Sequence, residues 1–319
     1  MTVRVDPNDE PTRAELARAA RILALRMRRE ASGSFAGGYA SAFRGGGMEF
    51  DESRPYVPGD DVRALDWNAL ARTGELFVKR FREERDQVLL LALDVSGSMR
   101  FGTAAPAGVA GIRSKAGTAA HAAALLAAAA GHAGDRVGLL TFDREVRLSL
   151  PPGRGPAHTW HVVRSAVIAA SSSSGSTRVA AASEALRSSE RAVAVLLSDF
   201  RDPAILRGAN EAMADLAGLG KRHHLVSIVL HDRREDALPR VGLVRLEDPE
   251  RPGRTLLLNT NSERARSRYA KACSTRRLAL ERSLRALRSD VVWLRTDRDP
   301  LHVLSHYLRE RAGRMRRAA

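Results

Sequence analysis

Five oxygen-bearing side chains stand where a folded chain could turn them toward one point: Asp94, Ser96, Ser98, Thr177 and Asp199. The first three lie in Asp94-Val95-Ser96-Gly97-Ser98-Met99, which follows the apolar run "VLLLAL" without a break. A carboxylate and two hydroxyls at i, i+2 and i+4 on one tight loop, hinged on a glycine, have the make-up of a hard-cation site. Asp199 follows a second apolar run in "SDF". Thr177 precedes a helical segment, where its hydroxyl can either cap that helix or turn inward. Two carboxylates and three hydroxyls, with no thiol or imidazole among them, suit Mg2+ or Mn2+ rather than zinc or a soft metal.

Such a site needs a frame that brings separate loops together. In open α/β sheets that place is the carboxyl edge of the strands, near the point where strand order reverses. Strand patterns at 88–93, 136–142, 146–150, 192–198, 224–230 and 291–295 alternate with helical patterns near 115–132, 156–170, 178–190, 204–218, 263–288 and 300–311. Several strand runs are apolar throughout, as expected when both faces of a sheet are covered. The alternation predicts a doubly wound, mostly parallel α/β sheet over residues 88–319, ending in basic helices. "VRLSL" returns close behind "RVGLLTF" and is expected as the one antiparallel edge strand. Residues 1–87 read as an N-terminal helix over 11–30 followed by a short mixed accessory region. The glycine-rich "SGSFAGGYASAFRGGG" between them is mobile unless packed, and Pro58-Gly59-Asp60-Asp61 has the chemistry of a tight turn.

Composition narrows the function classes. With 44% hydrophobic and 28% charged residues, the chain is not a disordered one. The formal charge is +15, and from Glu263 onward sixteen Lys/Arg face six Asp/Glu. That excess reads as solvated helix faces, since only 5% of residues are aromatic and a nucleic-acid binder would want stacking platforms. The single cysteine, Cys273, excludes an intramolecular disulfide and fits a reducing compartment. The first residues lack a signal-peptide layout, and "AAHAAALLAAAAGHAG" at 119–134 reads as a packed helix, so the expectation is a cytoplasmic protein with no membrane span. His223-His224 and Cys273 have no metal-ligand spacing or nucleophile partner around them. Asp60, Asp61, Asp66 and Trp67 read as structural: turn carboxylates, partners for Arg63 and Arg72, and a packed indole. Enzyme signatures are missing: there is no G-x-x-x-x-G-K-[ST] phosphate loop and no G-x-S-x-G around Ser96. A Mg2+-dependent phosphoryl-transfer enzyme would want a second aspartate where Ser96 stands; that reading, and weak nucleic-acid binding through the basic C-terminal region, are the alternatives.

Asp94-x-Ser96-x-Ser98, then Thr177, then Asp199, in that order and on those elements, resembles the metal-ion-dependent adhesion site of von Willebrand factor A-like domains. "RPYVPGDDVRALDWNALARTGELFVKRFREERD" and "GDRVGLLTFDREVRLSLPPGRG" look like the signature of bacterial and archaeal proteins grouped as domain of unknown function family 58. The resemblance runs from about Arg44 to at least Phe200. It implies an A-type domain behind a family-specific N-terminal region, acting with a MoxR-type AAA+ ATPase in assembly or activation of other proteins. Many members begin with two membrane helices; this chain looks like the soluble subtype. Carried across, Ser96 and Ser98 ligate the ion through their hydroxyls and Thr177 does so in the ligand-engaged state, while Asp94 and Asp199 hold it directly or through water. Arg178 departs from the pattern, since an acidic or amide residue often follows the threonine; a cation there would weaken metal binding or pair with a partner's carboxylate. The implied function is a metal-dependent protein-protein interaction module, not an enzyme. Neutral hydroxyl ligands leave the ion electrophilic at an open position, which an Asp or Glu from a partner protein completes.

Overall fold

The computed structural model describes the chain from residue 13 to residue 318, apart from 31–32, 44–47, 62–63, 84–86, 104–113, 188, 207–209 and 250–252. Two helices come first, α1 (Arg13–Glu30) and α2 (Ser34–Phe43), then the hairpin β1 (Met48–Pro55) and β2 (Phe77–Glu83) with α3 (Trp67–Thr73) between its strands. The alternating part follows as β3 (Val88–Asp94), α4 (Lys115–Ala133), β4 (Arg136–Phe142), β5 (Val146–Gly153), α5 (Pro156–Ser171), α6 (Val179–Leu186), β6 (Val193–Ser198), α7 (Pro203–Leu206), α8 (Asn210–Arg222) and β7 (His224–His231). The chain ends with α9 (Arg233–Asp236), a hairpin of β8 (Leu243–Glu247) and β9 (Thr255–Asn259), α10 (Glu263–Ala286), β10 (Asp290–Arg295) and α11 (Pro300–Ala318).

Six strands form one sheet in the order β10-β7-β6-β3-β4-β5. All neighbours are parallel except β4 and β5, so the expected single antiparallel edge strand is present. The chain leaves β3 toward β4 on one side and later returns to lay β6 on the other. The reversal of strand order therefore falls between β3 and β6, with Leu91 level with Leu139 and Val195.

Along β3 every residue is buried, yet the period of two still sorts the side chains. Leu89, Leu91 and Leu93 join a core with α4, α5, α1, α2 and α11, while Val88, Leu90 and Ala92 join one with α6, α8 and α10. Removing any one of these leucines to alanine leaves a cavity worth about 2–5 kcal/mol. Helix α4 has almost no solvent face: fifteen of its nineteen residues are buried. Its alanines let the sheet, α5 and α2 close in from three sides, and at Gly131 a Cβ would stand 2.7 Å from the Thr159 hydroxyl. No helix among the described residues is long and apolar enough to cross a membrane.

The structure corrects several sequence expectations. Within the glycine-rich link, expected to be mobile unless packed, residues 34–43 are packed, because α2 buries Phe35, Tyr39 and Phe43 and Arg311 Nε donates to the Ala42 carbonyl at 2.9 Å. The helix expected over 178–190 ends at Leu186, and that over 204–218 is divided between α7 and α8. The β8–β9 hairpin was not legible. Trp67 is not a packed indole; it is 65% exposed, as the first residue of a short helix whose one buried side chain is Ala69. Asp60 pairs with Arg54 at 2.6 Å, and Asp66 caps α3 by accepting from the Asn68 and Ala69 amides. Arg63, and Arg44 at the start of the resemblance, lie outside the described residues.

Candidate functional site

The carboxyl ends of β3, β6 and β7 lie side by side, since the three strands are parallel neighbours. Asp94 ends β3, Asp199 directly follows β6, and Glu235 lies in α9, just after β7. The loop after β3 is fixed by its backbone. Val95 N donates to the Phe142 carbonyl (2.8 Å), Ser174 N to the Val95 carbonyl (2.8 Å) and Gly97 N to the Gly175 carbonyl (2.8 Å). The two loops carrying Ser96 and Thr177 are thereby stitched together. Glycine is required at 97, because a Cβ there would stand 2.6 Å from the Pro249 carbonyl oxygen and 3.0 Å from that of Gly175. Met99 is fully buried beneath the loop and anchors its 3-10 turn, Gly97–Arg100.

Four of the five sequence-derived residues meet directly. The Thr177 hydroxyl donates to Ser96 Oγ at 2.7 Å and lies 3.4 Å from Asp94 Oδ2, and Ser96 Oγ is 3.3 Å from Ser98 Oγ. Asp94 Oδ1 accepts from the Ser96 amide at 2.9 Å. The fifth, Asp199, stands beside them, close enough for its charge to act on Asp94 and for Ser98 to favour its ionised form. All five are buried. Thr177 thus turns inward; the N-cap of α6 is Arg178, which makes no side-chain cap bond. The Arg178 guanidinium points along the surface to Glu184 at 2.6 Å, so the departure at this position brings no cation into the cluster.

Sequence reasoning missed four further side chains, Ser198, Lys115, Arg201 and Glu235. Ser198 donates to Asp94 Oδ2 at 2.5 Å and receives the Phe200 amide at 2.9 Å. Phe200 adopts a left-handed backbone (φ 53°), unusual for a side chain of its size, which sharply turns the chain just after Asp199. Lys115, the first residue of α4, has no exposed side-chain surface, and its Nζ donates to Asp199 Oδ2 at 2.5 Å and to Glu235 Oε1 at 2.7 Å. Arg201 approaches the same two carboxylates, at 3.7 Å from Asp199 and 3.0 Å from Glu235. One signal pointed to Lys115. Lysine occurs four times in a chain with 52 basic residues, and one of those four opens the alanine-rich helix.

The two aspartates differ in charge environment. Burial, and then the nearby charge of Asp199, push the Asp94 carboxyl up to about 7, although Ser198 and Ser96 hydrogen bonds oppose the shift. Burial also pushes Asp199 upward, but Lys115 and Arg201 outweigh it and hold the carboxyl below its usual range. Asp94 is therefore a buried carboxylate whose hydrogen bonds come from neutral groups, while Asp199 has two cations. That arrangement fits a hard cation at the Asp94 side of the cluster, where Ser96, Ser98 and Thr177 supply neutral oxygens. Among the described residues no group of three or more His, Cys, Asp or Glu could hold a metal by itself, so the hydroxyls are essential to any such site.

The other sequence candidates take structural places. His223 Nε2 lies 3.1 Å from the Leu186 carbonyl, and His224 is 3.6 Å from Asp290. Cys273 is half-buried on α10 beside Tyr269.

Over 306 residues the chain is 31% identical to uncharacterized proteins of Mycobacterium bovis and Mycobacterium tuberculosis, covering 95% of this chain and 91% of each relative. Among solved structures it is similar to the conserved hypothetical protein BatB of Bacteroides thetaiotaomicron (16% identity, TM-score 0.40, 72% of this chain and 99% of that one). An aerotolerance-related membrane protein of Bacteroides fragilis matches with the same identity, coverage and TM-score. The model of the family described as "Protein of unknown function DUF58" matches residues 52–279, from the first hairpin through most of α10 and across all five residues of the cluster, and the chain belongs to that family.

Proposed function

We propose that this protein is a metal-dependent protein-binding module of the von Willebrand factor A-like type, working in the cytoplasm with a MoxR-type AAA+ ATPase in assembly or activation of other proteins. Asp94, Ser96, Ser98, Thr177 and Asp199 hold Mg2+ or Mn2+ in this reading. Bound there, the ion would supply an electrophilic position for an Asp or Glu side chain of the partner. The observation that carries the reading is Asp94: it is fully buried at the switch-point crevice, surrounded by three converging hydroxyls, with no cationic side chain among its hydrogen-bond partners. A buried carboxylate without a counter-charge costs several kcal/mol, which a cation offsets.

Partner specificity needs surface next to the ion. Asp199, Arg201 and Glu235 also line a cleft of about 770 Å3 that runs beneath α10, whose Arg268, Lys271 and Arg276 form its cationic side. A partner segment carrying more than one carboxylate complements that wall. Calorimetric titration with MgCl2 and MnCl2 tests the site: wild type binds and Asp94→Asn does not. Equal binding by both, or none by either, overturns the assignment. A pull-down from native lysate with Mg2+ and with chelator then tests whether partner capture needs the ion.

One observation speaks for the phosphoryl-transfer reading, the Lys115 ammonium beside a strand-end carboxylate. It is already engaged by Asp199 and Glu235, and Ser96 occupies the place of a second acid/base aspartate. Purified protein should show no phosphoester hydrolysis; turnover abolished by Asp94→Ala would reverse the choice.

A further inference from the structure

Lys115 sits in a place that is unfavourable for a cation on three counts. It occupies the first turn of α4, where the helix dipole repels positive charge. It is fully buried, where an ammonium loses its hydration. It also stands next to a cluster whose oxygen donors suit a cation of their own. The fold nevertheless fastens it firmly. Its amide donates to the Phe101 carbonyl at 2.9 Å, its Nζ lies 5.9 Å from the centre of the Phe101 ring, and the ammonium bridges Asp199 and Glu235.

We infer that Lys115 is the built-in counter-ion of this site, competing with a divalent ion for Asp199 and keeping the protein folded when no metal is bound. The inference rests on the metal reading above and adds a second cation state to it. One oxygen of Asp199, Oδ2, belongs to Lys115, and the other, Oδ1, accepts from the Arg201 amide at 3.1 Å. A divalent ion that uses Asp199 must therefore displace the ammonium, which then retains Glu235.

Glu235 is held in place for that role. It closes a capping box with Asp232 at the start of α9. Asp232 in turn binds Thr103 through its amide (2.9 Å) and hydroxyl (2.6 Å), and the Thr296 hydroxyl at 2.6 Å. The carboxylate that shares Lys115 is thus tied to the loop after β3 and the loop after β10, and does not follow the ammonium as it moves.

Charge arithmetic gives the direction of the effect. Asp94, Asp199 and Glu235 carry three negative charges and Lys115 and Arg201 two positive ones, so a divalent ion converts a cluster of about −1 to about +1. Without Lys115 the same ion converts about −2 to neutral. Even screened as strongly as in bulk water, removing one unit charge about 4 Å from a divalent ion corresponds to roughly thirtyfold tighter binding, so a gain of roughly ten- to hundredfold is expected.

The test is calorimetric titration of Mg2+ and Mn2+ into the full chain as wild type, Lys115→Met and Glu235→Gln, with melting temperatures measured in chelator and in saturating metal. Lys115→Met should bind metal roughly ten- to hundredfold more tightly, melt below wild type in chelator, and recover in Mg2+. Glu235→Gln removes the carboxylate that receives the ammonium, and should bind metal more weakly than wild type. Wild-type binding with no gain in Lys115→Met overturns the inference and leaves the metal site standing. No binding in any of the three overturns the metal site, and the inference with it. If Lys115→Met folds only when Mg2+ is present, the counter-ion role is supported directly. If it folds under neither condition, Glu235→Gln decides, and an affinity equal to wild type overturns the inference.

Discussion

Replacing Asp94 by asparagine deletes one charge while keeping the side chain's shape, and its effect on the metal-free fold can be given a sign and a size. The folded-state carboxyl is raised from an ordinary value of 3.8 to about 7. Because the folded form binds the proton more tightly than the unfolded chain, this contribution to stability is fully present below pH 4 and is lost as pH rises through 7. A raised value of that size corresponds to a penalty on the order of 4 kcal/mol in the ionised state. Metal-free Asp94→Asn should therefore be more stable than metal-free wild type at pH 8, by up to ~4 kcal/mol less whatever the Ser198 and Thr177 hydroxyls lose when they face an amide. At pH 5, where folded Asp94 is protonated but the unfolded carboxyl is ionised, the difference should shrink to about 1–2 kcal/mol, and it should vanish only below pH 4. Mg2+ acts in the opposite sense. At a hundredfold excess over its dissociation constant it stabilises wild type by about 2.7 kcal/mol, roughly 5 °C in melting temperature for a chain of this size, and should leave Asp94→Asn almost unmoved. Urea denaturation at pH 5 and pH 8, with Mg2+ and with chelator, measures all four differences. Equal Mg2+ shifts in the two proteins, or a wild-type minus variant difference that does not change with pH, would refute the placement of the ion on Asp94.

Two other perturbations probe what surrounds the cluster. Gly97→Ala puts a methyl against the Pro249 and Gly175 carbonyls, so the loop must shift; stability should fall by about 1–3 kcal/mol, and metal affinity measured by calorimetry should fall with it. Arg311 joins the C-terminal helix to the Ala42 carbonyl and to Asp290 from a buried position. Arg311→Met should cost about 3 kcal/mol in urea denaturation, because it leaves Asp290 with less of its compensation. Burial pushes Asp290 up, but His224, Arg311, Tyr307 and Arg314 hold it well below the usual carboxylate range. That stabilisation is present above pH 4 and is lost on acidification, so the difference between Arg311→Met and wild type should narrow at low pH.

Much of the frame was legible because its signals are local. Apolar runs of strand length alternating with amphipathic segments gave all six strands of the main sheet within a few residues of their ends, including the antiparallel return of β5. What failed depended on contacts distant in sequence. The α2 segment, with two glycines in ten residues, has little intrinsic helicity, and only the aromatic side chains it buries against α4 and α11 hold it in a helix. The β8–β9 hairpin is made of two five-residue mixed runs, and several of its leucines remain largely exposed, so no continuous apolar run marked it. Trp67 looked like core by residue type, but its position at the start of a one-sided short helix leaves the ring in solvent.

The candidate site divides along the same line. Asp94, Ser96 and Ser98 follow a buried strand, and Asp199 follows another, so the rule that strand ends meet at the switch point was enough to bring them together. Lys115 was hidden because its role is set by two carboxylates 84 and 120 residues away, one of them in a four-residue helix with no hydrophobic pattern. Its residue type is nonetheless informative in hindsight. A flexible stem with a compact ammonium reaches two carboxylates from a position with no exposed side-chain surface, where a planar guanidinium would need more room and more acceptors. In a chain that uses arginine almost everywhere, a lysine at a buried helix start marks a place where an ion-sized charge is required. Because that charge sits on Asp199 rather than on Asp94, the cluster retains one carboxylate without a cationic partner, and the proposed metal site rests on that carboxylate.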